Sequence, residues 1–298
     1  MQILRILSLF FFIFLSINIS ASQAQEAGFN RESLGKIKNP KLNEISGMIF
    51  NQDGSGIWCH NDSGDQSRFF LINTQGDLIA EYYLEGANFI DVEDIARMNW
   101  KGENYLCIAD IGDNLAKREL TSLYFVKEPA SDITKRDEKF VIAAEDIFKI
   151  TLKYSDGPRD AEAIFIDPKT FELVLITKRE LNVRAYAVPL MDTNTQTFKK
   201  SHILKDFIEL PLAFVTAADI SRDGSGILVK NLLEVHYFPR KDKEHVLKAL
   251  QRPSIKQSYF PEPQGEAIAF SLDGSRFYTT SERPLGLEAY IYQYKLIK

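Results

Sequence analysis

The stretch Asp91-Val92-Glu93-Asp94-Ile95-Ala96 has four relatives elsewhere in the chain. They are Ile45-Ser46-Gly47-Met48, Ala161-Glu162-Ala163-Ile164, Ala217-Ala218-Asp219-Ile220 and Gly265-Glu266-Ala267-Ile268. After each phrase come an apolar run, a tight turn and a second apolar run. Asp-Gly or Asp-Pro begins four of the turns, at residues 53, 167, 223 and 273, and such residues suit hairpins. The chain therefore repeats one β-unit five times.

The repeat has the length of a propeller blade. Its anchor positions are Ser46, Glu93, Glu162, Ala218 and Glu266, with successive gaps of 47, 69, 56 and 48 residues. Units of about 40 to 50 residues with short strands are typical of blades, which bury their faces by stacking in a ring. We predict an all-β chain with a single five-bladed β-propeller, or six blades if the 93-to-162 gap contains another. Because the last unit ends at its third strand, residues 29–42 are predicted to close the ring.

The N-terminus has the pattern of a secretory signal. Arg5 precedes an apolar run over residues 6–19, and Ser20-Ala21-Ser22 offers small residues for cleavage. The run is shorter than the ~20 residues that a membrane-spanning helix needs, so a membrane anchor is the less favoured alternative. We predict a signal peptide over residues 1–22, a propeller domain over 23–298, and export to the periplasm or the medium.

The net charge and its distribution limit the classes of binding partner that the sequence supports. The net charge is -5, and no dense stripe of Lys and Arg appears, so nucleic-acid binding has no support. No stretch after the signal predicts a transmembrane segment. We expect a monomer whose partner is a small anionic molecule or an envelope protein or glycan.

Ring closure should gather acidic residues at one end of the central channel. The first and second strands of a blade are antiparallel, so the start of the first and the end of the second share a rim. Glu93, Glu162 and Glu266 stand at three of the five first-strand starts, while Ser46 and Ala218 stand at the other two.

The ends of the second strands add further charge to that rim. Asp62-Ser63-Gly64-Asp65 and Asp110-Ile111-Gly112-Asp113 have the same Asp-x-Gly-Asp pattern in adjacent units. Arg68 and Arg118 follow the two loops, and Lys178 stands near the same place in the third unit. We expect the two loops to occupy equivalent positions.

Carboxylates gathered around one point share protons, pair with cations or hold a hard cation. Oxygen-only ligands favour calcium over zinc, and the four His residues do not have ligand spacing. The predicted ligands of a divalent cation are Glu93, Glu162, Glu266, Asp62 and Asp113. The alternative is structural: the carboxylates fix loop amides, and the Asp-x-Gly-Asp loops are turns only.

The sequence has no obvious nucleophile constellation. If the mouth hydrolyses a phosphoester or a lactone, Lys178, Arg68 and Arg118 are the candidates for stabilising the anionic transition state, with water activated by the metal. The alternative is a non-catalytic scaffold that presents one face to a protein or glycan partner.

The two cysteines are predicted to be buried free thiols. Cys59 and Cys107 each lie three residues before the first Asp of an acidic loop, which suggests equivalent positions. Equivalent side chains in successive blades point the same way round the ring, and packed sheets lie about 10 Å apart, so the geometry does not suit a disulfide.

The combined motifs resemble a widespread, largely uncharacterised set of exported bacterial β-propeller proteins. The segments that carry the likeness begin at Asn61, Asp91, Ala109, Asp160 and Gln264. More distantly, the chain is similar to phytase-like and gluconolactonase-type propellers. That likeness implies carboxylates that hold calcium or another divalent ion at the channel mouth and hydrolyse phosphoesters or lactones. Glu93, Glu162 and Glu266 would carry over, whereas Ser46 and Ala218 depart from the pattern.

Overall fold

The computed structural model describes residues 31–192, 195 and 197–298, so the predicted signal peptide lies outside the described residues. The strands in chain order are β1 (Arg31–Lys36), β2 (Ile45–Phe50), β3 (Gly56–Asn61), β4 (Arg68–Asn73), β5 (Leu78–Leu84), β6 (Val92–Trp100), β7 (Glu103–Asp110), β8 (Thr121–Lys127), β9 (Glu138–Ile142), β10 (Ile147–Tyr154), β11 (Ala161–Ile166), β12 (Glu172–Thr177), β13 (Val183–Pro189), β14 (Met191–Asp192), β15 (Thr197–Phe198), β16 (Ser201–Leu204), β17 (Phe207–Leu210), β18 (Val215–Ile220), β19 (Gly226–Asn231), β20 (Val235–Pro239), β21 (Ile255–Lys256), β22 (Ala267–Phe270), β23 (Arg276–Thr280) and β24 (Tyr290–Lys295). The helices are α1 (Val246–Leu250) and two 3-10 turns, Ala144–Asp146 and Pro284–Gly286. No helix in the described part of the chain has the length and apolar character that crossing a membrane requires.

Five sheets form the blades of a five-bladed β-propeller, as predicted. Their first strands are β2, β6, β11, β18 and β22, and each of these contacts its two neighbours around the axis. The long 93-to-162 gap does not hold a sixth blade. It contains β9, which pairs in parallel with β5 of the preceding blade.

The N-terminal strand closes the ring. β1 pairs antiparallel with β24, so the last blade takes its outer strand from the start of the described chain. In the second blade, β16 is an added outer strand that pairs in parallel with β10. These additions cover strand edges that would otherwise expose unpaired backbone groups.

An apolar core fills each of the five interfaces between neighbouring blades. In the core between the first and second blades, Trp58 and Phe69 of one sheet pack with Val92 and Ile95 of the next. Because both faces of a blade are apolar, each blade depends on its two neighbours for burial.

Both cysteines are free and buried, as predicted, but the reason differs. Cys107 lies opposite Ala96, and the residue that corresponds to it in the first blade is Trp58, not Cys59. Successive residues of a strand point to opposite faces. Cys59 therefore lies in the core between the fifth and first blades, and Cys107 in the core between the second and third.

A bulge sets the start of the first strands in four blades. The bulged residues are Ser46, Glu93, Glu162 and Thr216. The assignment of Ala218 to the fourth anchor position is therefore wrong, because the strand register places Thr216 there and Ala218 two residues deeper in the channel. The corrected gaps are 47, 69, 54 and 50 residues.

A buried carboxylate joins three blades across the channel. Asp94 of the second blade accepts a hydrogen bond from Ile164 N of the third blade at 2.8 Å. The same oxygen, Oδ2, accepts a longer hydrogen bond from Ala218 N of the fourth blade at 3.5 Å. The other oxygen, Oδ1, accepts a hydrogen bond from Ile95 N at 2.8 Å. Since first strands of different blades share no backbone ladder, side-chain bonds of this kind fix one blade against the next.

Two further side chains extend these links around the ring. Ser46 Oγ donates to the carbonyl of Glu93 at 2.8 Å, which joins the first blade to the second. Asp219 accepts from Phe270 N at 2.7 Å, which joins the fourth blade to the fifth.

Replacing Asp94 by Ala is expected to lower the free energy of unfolding by about 3 kcal/mol, because the buried amides of Ile95 and Ile164 lose their acceptor. Urea unfolding followed by tryptophan fluorescence measures the change. Ser46→Ala is the matched control and should cost about 1 kcal/mol, since it removes a single hydroxyl bond. Equal losses in the two variants would contradict a special role for Asp94.

Candidate functional site

Seven carboxylates form one cluster at the channel end where the first strands begin, and we name this cluster the acidic mouth. Its members are Asp62, Asp91, Glu93, Asp160, Glu162, Glu266 and Glu282. They fall into three groups within which carboxylate oxygens lie no more than 4.8 Å apart. Asp62 and Glu93 each belong to two groups, so the groups join into a contiguous cluster.

Strand ends and bulges place these side chains. Glu93 and Glu162 occupy the bulges of β6 and β11, and Glu266 directly precedes β22. Asp62 follows β3, and Glu282 follows β23 by two residues. The structure therefore brings together four of the five predicted ligand residues.

Lys178 lies inside the acidic mouth. Its Nζ is 2.7 Å from Glu162 Oε1 and 3.7 Å from Glu266 Oε1. Burial lowers the pKa of Lys178, but the neighbouring carboxylates of Glu162 and Glu266 outweigh burial and hold this pKa above its ordinary value. One ammonium group thus forms ion pairs with two glutamates.

Four carboxyls of the acidic mouth, Asp62, Glu93, Glu162 and Glu282, have strongly raised pKa values. Burial, followed by repulsion from Glu162, raises the pKa of Glu93 well above its ordinary value. Burial raises the pKa of Glu162 to about 8 despite Lys178. Burial and Glu266 raise the pKa of Glu282 to about 9, and burial raises that of Asp62 to about 7. If all seven carboxyls were ionised, their negative charge would exceed the positive charge of Lys178 and of Arg179, which pairs with Asp160 at 2.6 Å.

Two buried oxygens in the cluster lack a hydrogen-bond partner, Asp91 Oδ1 and Glu162 Oε2. Glu162 is 2% exposed, and its Oε2 accepts no hydrogen bond even though Oε1 binds Lys178. A buried acceptor without a partner is costly unless a proton or a cation satisfies it. The raised pKa of Glu162 means that a proton can satisfy this oxygen near neutral pH, and a cation would have to displace that proton.

Asp113, the fifth predicted ligand, lies outside the three carboxylate groups. Its Oδ2 accepts from Arg118 N at 2.7 Å, and its own N–H donates to Asp160 Oδ1 at 2.8 Å. Arg118 also pairs with Asp110 at 2.8 Å. Asp113 and Arg118 thus stabilise the loop that follows β7.

Arg68 is placed at the start of a third strand, where its donors are engaged. The guanidinium pairs with Asp65 and with Glu81, both at 2.7 Å, and donates to Tyr83. Among the three predicted cationic candidates, Lys178 is the one that contacts the carboxylates of the acidic mouth.

The two Asp-x-Gly-Asp loops are not equivalent. Strand register aligns Asn61 with Asp110, which offsets the patterns by one residue. Gly64 has a φ of 85° and open space around it, so it serves the turn. Gly112 provides room instead: a Cβ there would lie 2.1 Å from Glu93 Oε1. The expected equivalence of the two loops is wrong. Gly64 allows a left-handed backbone conformation, whereas Gly112 leaves space for the Glu93 side chain.

Sequence reasoning left three members of the acidic mouth out of the predicted ligand set. Asp91 and Asp160 share a signal that was available, since each stands two residues before a ring glutamate. Glu282 also had a signal, because it follows the second strand of the fifth unit as Asp62 follows the second strand of the first.

No protein-family model matches this chain, and no curated protein gives a significant match. The fold and the acidic mouth define the protein as a five-bladed propeller with a carboxylate cluster at one channel end.

With a chelator present, the free energy of unfolding is expected to fall as the pH rises from about 5 to about 9. In the unfolded chain a glutamate ionises near about pH 4.3, whereas folded Glu162 and Glu282 keep their protons to about 8 and about 9. The folded state binds more protons in this window, so removing them favours unfolding. Urea titrations at several pH values measure the effect. Glu162→Gln should flatten the profile, and stability that rises with pH would contradict the assignment.

Proposed function

We propose that the protein is a divalent-cation-dependent hydrolase, with calcium the favoured ion and a small phosphoester or lactone as the substrate. The observation that carries this proposal is the contiguous cluster of seven carboxylates with Lys178 inside it. Without a cation, several of these carboxyls retain protons to neutral pH or above, which is a costly arrangement to maintain for rim structure alone.

The donor set fits calcium. Calcium takes about six to eight oxygen ligands in flexible geometry, and carboxylates are its usual protein donors. The partnerless Glu162 Oε2 and the adjacent Glu93 carboxyl supply buried oxygens, while the half-buried Asp62 and Glu282 leave the centre open to solvent. A bound ion would act as a Lewis acid on a phosphoryl or carbonyl oxygen.

Lys178 would stabilise the charge that develops on the substrate. Its ammonium group is held by Glu162 and Glu266, and the side chain is 13% exposed, so it reaches the open centre with limited freedom. A preorganised cation of this kind is worth more in a partly desolvated site than in water.

Calorimetry with calcium, magnesium and manganese tests the metal site. We expect wild type to bind calcium, and the Glu93→Gln/Glu162→Gln/Glu266→Gln variant to bind at least about tenfold more weakly, because ligand charge sets calcium affinity. The matched control replaces three exposed glutamates, Glu32, Glu103 and Glu145, by Gln. Absence of binding to wild type, or equal binding to both triple variants, would end the proposal.

Lys178→Met separates cation binding from hydrolysis. Removing the ammonium group relieves competition for Glu162, so calcium affinity should hold or increase. Turnover of an aryl phosphate or a lactone should fall by about 10²–10³, as expected for loss of one transition-state contact. A calcium-loaded wild type that hydrolyses neither substrate would leave the site as a binding site and remove the enzymatic part of the proposal.

A second candidate function is favoured by exposed leucines around the acidic mouth. The loops between second and third strands in blades two to five carry Leu115, Leu181, Leu233 and Leu285, with exposed fractions between 69% and 101%. Leu285 also has a φ of 55°, a left-handed conformation that is uncommon outside glycine. An apolar ring around a negative centre suits a protein segment that inserts a Lys or Arg flanked by apolar residues.

The leucine ring predicts calcium-sensitive capture of a protein from a cell-envelope extract. Immobilised wild type in chelator should retain the partner, and calcium should release it because both compete for the acidic mouth. The variant with all four leucines replaced by Ser should lose capture with little change in stability, since the side chains are exposed. If the partner is retained both in calcium and by the four-serine variant, the leucine ring is not the docking surface. The hydrolase proposal would then be the remaining candidate function.

A further inference from the structure

A cavity of about 310 Å³ lies at the channel end opposite the acidic mouth. The ends of all five first strands line it, together with the hairpin turns that follow them. Two arginines, Arg97 and Arg222, line the cavity, and we name it the arginine cavity. Asp94, bonded across the channel to the third and fourth blades, lies between the two ends.

The arginine cavity combines an apolar wall with a cationic one. Ile220 of the fourth blade and Leu272 of the fifth line the cavity and are half-buried, so they present apolar surface to it. The guanidinium groups of Arg97 and Arg222 stand against it. Ligand sites commonly have this composition, in which apolar side chains hold the body of a ligand and a few polar groups orient it.

Arg97 has spare hydrogen-bonding capacity in a buried position. Its side chain is 13% exposed, and it donates to the carbonyl of Phe50. The Nε atom has no hydrogen-bond partner, and the nearest carboxylate oxygen, Glu128 Oε2, is 3.5 Å away. That carboxylate uses its other oxygen to accept from Trp58 Nε1 at 2.9 Å.

Arg222 brings a second positive charge close to the first. It donates to the carbonyls of Asn51 and Gln52 at 3.1 and 2.9 Å. Burial, followed by repulsion from the Arg97 guanidinium, lowers the pKa of Arg222, while the carboxylates of Glu128, Asp219 and Asp53 oppose that shift in part. An anion placed between the two guanidinium groups would relieve this repulsion.

Asp219 is the acidic residue that lines the arginine cavity, and its oxygens are already engaged. One oxygen accepts from Ile220 N at 2.8 Å and the other from Phe270 N at 2.7 Å. Burial raises the pKa of Asp219 to about 7, so near neutral pH it is partly protonated. The arginines therefore keep capacity for an added anion.

We propose that the arginine cavity binds a small organic carboxylate with a compact apolar body, whose carboxylate bridges Arg97 and Arg222 and whose body packs on Ile220 and Leu272. Planar guanidinium groups match carboxylate geometry, and two of them hold one anion more firmly than one. The site stands apart from the acidic mouth and does not depend on the hydrolase proposal.

Phenylacetate is a suitable probe, because it joins a carboxylate to an aromatic ring of a size that the cavity can hold. We expect it to raise the melting temperature saturably in the presence of a chelator, which prevents binding through a metal ion at the other end. Phenylacetamide keeps the shape but lacks the charge, and acetate keeps the charge but lacks the ring. Both should bind at least about tenfold more weakly, since each lacks one half of the recognition.

Arg222→Gln should weaken phenylacetate binding by about tenfold or more through loss of a charge-assisted contact. Arg276→Gln is the matched control, because Arg276 is an exposed arginine at the start of β23, on the same rim but outside the cavity lining. Calcium binding should be unchanged in both variants. The proposal is overturned if phenylacetamide binds as well as phenylacetate, if the two arginine variants lose affinity equally, or if phenylacetate does not bind at about 10 mM.

Discussion

The buried carboxylate of Asp94 is the interaction on which the channel architecture depends. First strands of neighbouring blades belong to different sheets, so they share no backbone ladder, and their amides near the axis need other acceptors. Asp94 supplies one to Ile164 of the third blade and approaches Ala218 of the fourth. Burial raises its pKa well above the ordinary value, while these amide donors oppose that shift. The same carboxylate lies between the two channel ends.

The two ends of the channel concentrate charges of opposite sign. At the acidic mouth, rotational symmetry repeats a glutamate position in three blades, and Lys178 offsets only part of the charge. At the arginine cavity, two guanidinium groups come from the second and fourth blades and approach each other. Like charges in a partly desolvated space are unfavourable unless a counter-ion or a proton compensates. Each end is therefore a candidate for binding a ligand of opposite charge.

Much of the fold was predictable because blade repetition leaves a local signal. The apolar runs, the Asp-Gly turns and the incomplete last unit indicated five blades and an N-terminal closing strand. Errors arose where a sequence motif and the strand register disagree, by two residues in the fourth blade and by one between the first two blades. Thr216 takes the position assigned to Ala218, and Cys107 corresponds to Trp58 rather than to Cys59. A one-residue shift leaves the apolar pattern of neighbouring strands intact but reverses the direction of a side chain.

By itself, the sequence determined the all-β ring and the shared rim of Glu93, Glu162 and Glu266, because these follow from strand period and repeat spacing. Only the tertiary structure decided which acidic residues lie within one cluster, since Glu282 belongs to it whereas Asp113 lies outside the three carboxylate groups and binds the Arg118 amide. Only the tertiary structure also revealed the arginine cavity. Its residues are far apart in the chain and share no motif, and they meet because five blades converge on one axis.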